Sequence, residues 1–338
     1  MNDSSTVLIS ASEMEAEFMR ILLKLGFQES KARTCADVFI KNSLEGVLSH
    51  GVNRFPRFVK YIQNGNIDIV AEPELVHSAG AVEQWDGKLG PGILNAAKCT
   101  ERAMELAQIS GIGCVALANT NHWMRGGTYG WQAAKAGFVF IGWTNTIGNM
   151  PAWGAIDSKL GNNPLVIAVP FGDDAIVLDM AMSQYSFGKL EKMQIEGSKL
   201  DFAGGYNLSN QLTCDPDEIL ESKRPLPIGY WKGASLSLLL DILSAILSGG
   251  LSTSQIGEKQ DEISVSQVFI AIDIRRLSNF PTIQNTISGI ISDFKSSVPI
   301  DGKTAIRYPG EQILKNRQTN LREGIPVNSI IWNEILSF

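Results

Sequence analysis

Residues 234–252, ASLSLLLDILSAILSGGLS, are the longest apolar stretch in the chain. Read as a helix, the stretch is apolar around most of its circumference, and such a helix must be covered on most sides. Asp241 and several serines interrupt it, and it falls short of the roughly 20 apolar residues that span a bilayer. The expectation is a buried helix, stopped at Gly249 and Gly250. A domain core or a subunit interface has to cover it. With 338 residues, 44% of them hydrophobic and 19% charged, the chain can build a core of that size. Its length suits about two domains.

Composition excludes several functions. The net charge of -6 and the lack of a dense Lys/Arg cluster argue against phosphate-backbone recognition, so no nucleic-acid partner is expected. The four cysteines (Cys35, Cys99, Cys114, Cys214) form no C-x-x-C pair. No disulfide framework or metal site is expected from them. The N-terminal MNDSSTVLISASEMEAEFM has no basic region followed by an apolar run, so a signal peptide is not expected and a cytoplasmic setting is. No membrane partner is expected either.

Along the chain, the first 65 residues read as helices. SASEMEAEFMRILLKLGF offers Ser12 as an N-cap with Glu15 three residues later, and Gly26 as a stop. ESKARTCADVFIKNSLEGV and RFPRFVKYIQNGNI give two more helices. From there, strand-like runs at 113–119, 138–146, 164–171, 175–183 and 265–277 alternate with helical segments. DFAGGYNLSNQLTCDPDE reads as a surface loop. The pattern predicts a mixed α/β fold without a clean βαβαβ series.

Three segments carry candidate chemistry. GPGILNAA at 90–97 resembles a dinucleotide fingerprint, but Asn95 stands at its third glycine position and VEQWDGKL before it makes a poor buried strand. NTNHWMRGG (119–127) and WTNTIGNMPAWG (143–154) each follow a strand-like run and concentrate polar residues where a scaffold builds sites, although Asn, Thr and Gly also serve ordinary turns. LSHGVNR (48–54) spaces His50 and Arg54 by four residues, which puts both on one face if the segment is helical. A guanidinium can grip a carboxylate while an imidazole moves a proton. The same spacing fits a histidine at a helix start beside a solvated arginine, and spacing alone leaves both readings open.

Taken in order, SHGVNRFPRF, NHWMRGGTYGWQAA, WTNTIGNMPAWGA, GNNPLVIAVP, LDMAMSQYSFGKLE, GYWKGASLSLLLDILSAILSGG and PGE resemble the malate/L-lactate dehydrogenase family. The resemblance runs from about residue 10 to the C-terminus. It implies a non-Rossmann NAD-binding fold, with a helical N-terminal region (1–70), a mixed α/β cofactor- and substrate-binding domain (71–260) and a C-terminal α/β part (261–338) packing back on the rest. It also implies a homodimer, NADH as cofactor with NADPH as the other choice, and a small keto acid as substrate. By the same resemblance, His50 is the acid/base residue and His122 a second site histidine that in related dehydrogenases can itself transfer the proton. Arg54 would hold the substrate carboxylate, with Ser49 and Thr146 at substrate-binding positions. Ile176, Val177, Leu178, Asp179, Met180 and Ala181 match a cofactor-binding stretch, as do Trp231-Lys232 and Gly310-Glu311. The implied reaction is hydride transfer to C2 of a 2-keto or 2,3-diketo acid, with protonated His50 as donor. Malate, lactate or ureidoglycolate chemistry, or a non-catalytic sugar-acid-binding protein, are the other readings. The chain departs from the family pattern at Asn162, where GNNPL replaces the commoner G-T-N-P-L, at Gly148, and in the 201–216 segment.

Overall fold

A computed structural model describes residues 6–259 and 261–338. The chain opens with β1 (Thr6–Ile9), α1 (Ala11–Lys24), α2 (Glu29–Leu44), 3-10 turns at Leu48–His50 and Val52–Arg54, and α3 (Phe55–Gln63). A hairpin of β2 (Glu74–Ala79) and β3 (Val82–Asp86) leads to α4 (Gly92–Ser110), β4 (Ile112–Thr120), α5 (Gly127–Lys135) and β5 (Phe138–Thr144). A second hairpin, β6 (Leu165–Phe171) and β7 (Asp174–Met180), precedes α6 (Phe187–Ile195), β8 (Gly205–Tyr206), β9 (Leu212–Thr213) and α7 (Pro216–Ser222). Then come α8 (Trp231–Ser248), α9 (Thr253–Gly257), β10 (Val265–Asp273), α10 (Ile283–Lys295), α11 (Glu311–Glu323), β11 (Ile325–Asn328) and α12 (Ser329–Leu336).

The fold is mixed α/β, as the sequence pattern predicts. Seven strands form one sheet in the order β2-β3-β4-β10-β5-β6-β7, and only the β3–β4 pair is parallel. β10 lies between β4 and β5, and seven of its nine residues are buried. A near-continuous apolar run is what a strand covered on both faces requires. On one face, α4 and α5 enclose Trp123, Tyr129, Trp131, Phe140 and Phe269. On the other, α8 packs on Ala116, Trp143 and Val268.

The N-terminal helices close around an aromatic cluster. Phe18 stacks on Phe55 with ring centroids 3.9 Å apart, and Phe39 meets Phe55 edge-on at 5.2 Å. The C-terminus completes this core. β11 pairs antiparallel with β1, and Val327, Trp332 and Ile335 are buried in the cluster.

Four sequence expectations change. The N-cap of α1 is Ser10, whose Oγ accepts from Glu13 N, because Ser12 already lies inside the helix. The 201–216 segment holds the short β8–β9 pair and the Asp215 cap of α7 besides its loop. VEQWDGKL does form a strand, β3, which pairs parallel with β4 through α4. The fingerprint-like loop between them still has no room for a pyrophosphate: a Cβ at Gly92 would lie 2.2 Å from Asn121 O and 2.4 Å from His122 O. The loop supports the 119–122 segment. Finally, α8 is buried along only one side. Leu236, Leu238, Leu239, Ile242, Leu243 and Ile246 remain 37–64% exposed within the single chain. By length and composition α8 could cross a membrane. Its Asp241 carboxylate, however, accepts from Asn145 Nδ2 and Thr253 N, tying the helix to the sheet side of the molecule.

Candidate active site

The S-H-G segment is two 3-10 turns separated by Gly51, not an α-helix, so the face-sharing argument from i, i+4 spacing does not apply. The turns are fastened to α2. Asn42 Nδ2 donates to His50 O at 2.9 Å, and Ser43 Oγ accepts from Val52 N at 2.8 Å. Gly51 allows that approach, since a Cβ there would lie 2.4 Å from Ser43 Oγ. His50 Nδ1 is 3.0 Å from Ser49 Oγ.

His122 arrives from the loop after β4. Met124 adopts a left-handed conformation (φ 65°), and its backbone N donates to His122 Nδ1 at 3.0 Å. The two imidazoles stack with centroids 5.7 Å apart and planes 19° apart. Arg54 and His122 line a cavity of about 20 Å³ with Arg57, Phe58, Tyr61 and Met124. Arg54 is partly buried, its backbone N donating to Gly51 O at 2.9 Å, yet its guanidinium has no hydrogen bond or salt bridge among the described residues. Glu262 and Glu191 act on it only at longer range, and the like charge of Arg57 opposes them.

Electrostatics follow from this surplus of positive charge. Burial, then Arg54 and Arg125, push the His50 pKa down to about 4. Burial, Arg54, His50 and Arg57 hold His122 well below the usual imidazole value. Both rings are therefore neutral near pH 7 without a ligand. A carboxylate placed on Arg54 would cancel part of the opposing charge and make protonation easier.

The other expected positions fall as follows. Thr146 is 5% exposed. Its Oγ1 lies 3.1 Å from Asn162 Oδ1 and 3.2 Å from Asn163 Oδ1. Within the 176–181 stretch, Val177 N donates to Pro309 O at 3.2 Å, and Gly310 lies against Val177 and Trp131. Asp179 Oδ2 accepts from Gly127 N at 2.8 Å and is 3.7 Å from Arg125 Nε. The residue after the stretch, Met182, is bonded through its O to Ile228 N, which ties β7 to the approach of α8. Trp231 and Lys232 open α8 on the exposed surface. Gly188, at the start of α6, lies against Ser49.

Sequence reading missed a buried charge cluster behind the turn. Glu45 is 1% exposed and is bonded to both Arg125 and Arg317, and Arg125 sits 4.7 Å over the Trp131 ring. Glu45 and Arg125 stand inside quoted motifs, but their partners lie 80 and 272 residues apart in sequence, and no local spacing reveals such a pairing.

The sequence model for malate/L-lactate dehydrogenases matches residues 9–336. The chain belongs to this family. It is 43% identical over 330 residues to a 2,3-diketo-L-gulonate reductase of Mannheimia succiniciproducens, covering 97% of this chain and 99% of that one. It is 42% identical over 328 residues to a 2,3-diketo-L-gulonate reductase of Klebsiella pneumoniae, covering 97% and 98%. The crystal structure of malate dehydrogenase from Entamoeba histolytica superposes with a TM-score of 0.92 at 26% identity, covering 98% of this chain and 97% of that one. As a malate/L-lactate dehydrogenase family member the chain is an oxidoreductase acting on a small molecule, and the family implies a nicotinamide cofactor.

The residues present fit such a group. Glu311 Oε1 accepts from Lys295, and Oε2 is buried with no hydrogen bond of normal geometry among the described residues, although the Tyr308 backbone N–H also acts on the carboxylate; such an acceptor suits a ribose hydroxyl. The N-terminus of the 18-residue α8 has no side-chain cap and carries Lys232, a combination that suits a phosphate.

Proposed function

We propose that the protein reduces the C2 carbonyl of 2,3-diketo-L-gulonate to 3-keto-L-gulonate with NADH. The observation that carries this reading is Arg54, a partly buried guanidinium without a hydrogen bond or salt bridge among the described residues, beside two stacked imidazoles. A fork of N–H donors there matches a substrate carboxylate. Two relatives of that name at 42–43% identity support the choice of substrate.

The bound nicotinamide supplies the hydride. This chain's residues orient the substrate and supply the proton. Arg54 binds the carboxylate and fixes C2. His50 takes up a proton as the carboxylate offsets the charge of Arg54, and donates it to the carbonyl oxygen as that oxygen becomes an alkoxide. Ser49 Oγ accepts from His50 Nδ1 once the ring is charged. His122, whose Nδ1 already accepts from Met124 N, carries its proton on Nε2 and donates a hydrogen bond as a neutral ring. The 176–181 stretch, Trp231, Lys232, Gly310 and Glu311 hold the cofactor. The Glu311 carboxylate favours a ribose hydroxyl over a phosphate, and hence NADH over NADPH.

The active unit in this reading is a cytoplasmic homodimer in which the open face of α8 meets a second copy. Six Leu and Ile side chains on one helix, 37–64% exposed, support an interface, since full burial of such a side chain is worth roughly 1.5–3 kcal/mol and each has about half of that left to gain. Light scattering is expected to give twice the chain mass at micromolar concentration, and Leu239→Glu with Ile246→Glu is expected to halve it. A monomeric unmodified protein would refute the dimer. The function is tested by NADH absorbance with 2,3-diketo-L-gulonate, pyruvate and oxaloacetate. The diketo acid should give the highest kcat/KM, and a higher value for either other acid would overturn the substrate.

A further inference from the structure

We propose that Asn162 is a specificity residue whose carboxamide donates to a substrate oxygen beyond C2, at C3 or C4 of a polyoxygenated keto acid. The inference rests on the reading above and names the group that recognises the far part of the substrate. Asn162 is partly buried in the irregular segment before β6. Its backbone O accepts from Met182 N at 2.8 Å, next to the candidate cofactor stretch. Its side-chain Oδ1 is taken twice, by Thr146 Oγ1 at 3.1 Å and by Asn149 Nδ2 at 3.0 Å. The single Thr146 Oγ1 proton is shared with Asn163 Oδ1 at 3.2 Å and Ile147 O at 3.3 Å, so Asn149 Nδ2 is the donor that fixes the Asn162 amide. The Nδ2 end has no partner among the described residues, and it is not among the buried orphan atoms. Two N–H donors are thus presented by a side chain that is already oriented.

The support beneath it is stiff. Thr146 N donates to Asn163 Oδ1 at 3.0 Å, and Asn163 Nδ2 donates to Ser237 O at 2.9 Å. Asn149 Oδ1 is buried without a donor among the described residues, so this polar cluster has an acceptor left open. The same loop reaches toward the clamp. Ile147 N lies 3.4 Å from Glu262 Oε2, and the Glu262 charge acts on Arg54. Asn162 therefore touches both Thr146, the substrate position that the family resemblance implies, and Met182, the residue after the candidate cofactor stretch. A substrate held at Arg54 by its carboxylate and at His50 by its C2 oxygen has its remaining carbons to place. In a sugar acid each of these carries oxygen, whereas pyruvate offers only hydrogen. The departure of GNNPL from the commoner G-T-N-P-L puts a two-donor amide where a one-donor hydroxyl would stand.

The test compares two ligands in the full-length protein. Asn162→Asp keeps the acceptor used by Thr146 and Asn149 and removes the donors, and Asn162→Ala removes both. The readouts are kcat/KM for 2,3-diketo-L-gulonate and the inhibition constant of oxamate, which has a carboxylate and a C2 carbonyl but no carbon beyond C2. Both variants should lower kcat/KM roughly tenfold, about the weight of one hydrogen bond, with the oxamate constant within about threefold of the unmodified protein's. An equal loss for both ligands would make Asn162 a structural residue, and no loss for either would leave it without a role; each result overturns the inference. If the unmodified protein consumes no NADH with the diketo acid, the parent reading fails, and this one with it.

Discussion

The turn that carries His50 and the loop that carries His122 bring two imidazoles within 5.7 Å but hold them differently. At His50 the Nδ1 partner is a hydroxyl, which can donate to a neutral ring or accept from a charged one. At His122 the Nδ1 partner is the backbone N–H of Met124, which can only donate. Protonating His50 costs a hydroxyl rotation. Protonating His122 costs a hydrogen bond and leaves two N–H groups facing each other. The same ring in two sockets is thus suited to two tasks: moving a proton, and offering a fixed neutral donor.

The largest expected effect breaks this assignment most directly. His50→Ala should lower kcat by about 10²- to 10⁴-fold, the usual weight of general acid catalysis, with NADH binding retained in fluorescence titration. His122→Gln keeps an N–H donor and should lose about tenfold or less. If His122→Gln is the dead variant and His50→Ala retains near-normal turnover, the two sockets have been assigned the wrong way round.

Next in size is Arg54→Lys. An ammonium is a point charge and cannot copy a bidentate fork. The keto-acid KM should rise by roughly 10- to 100-fold, in line with the loss of a hydrogen bond to a charged group. An unchanged KM would place the substrate carboxylate elsewhere.

The charge balance gives a pH signature. In the free protein the pKa of His50 lies near 4, below its ordinary value, through burial and the neighbouring arginines. A donor that must be protonated is then scarce at neutral pH, so kcat/KM for reduction should fall as pH rises from 5 to 8, by up to about tenfold per unit, because this parameter reports free-enzyme pKa values. The kcat profile reports the complex, in which a carboxylate bound at Arg54, as proposed, would raise the His50 pKa, so its fall should begin at higher pH. Coincident profiles would remove the coupling between substrate binding and proton uptake. Folding stability has the opposite sign. Both imidazoles have folded pKa values below the unfolded one, so the unfolded chain binds more protons as pH drops below about 6.5, and the melting temperature should decline on acidification toward 4.

Residue types were easier to read from sequence than geometry. The histidines and Arg54 stand in short runs whose residue types are visible at once, although spacing alone leaves their role open, and the strands of the central sheet announce themselves as apolar runs. The 3-10 form of the S-H-G segment was hidden because Gly51 is required by a contact with Ser43 on the preceding helix. The socket of His122 depends on the left-handed backbone of Met124, a residue type that gives no hint of it. β3 reads as a poor buried strand because it stands next to the edge strand β2 and is half open to solvent. The apolar character of α8 was plain, but a monomer sequence does not say whether the cover comes from its own fold or from another copy.

The finest test of the comparison is Ser49→Ala. If the hydroxyl serves only as a neutral partner of the resting ring, its removal costs one hydrogen bond and slows turnover about fivefold at any pH. If it accepts from the charged ring, its loss also disfavours the protonated state, so the kcat profile of the variant should move to lower pH while its limiting value at low pH changes less. A uniform drop at every pH would make Ser49 a packing residue of the turn, and the distinction between the two sockets would then rest on the Met124 N–H alone.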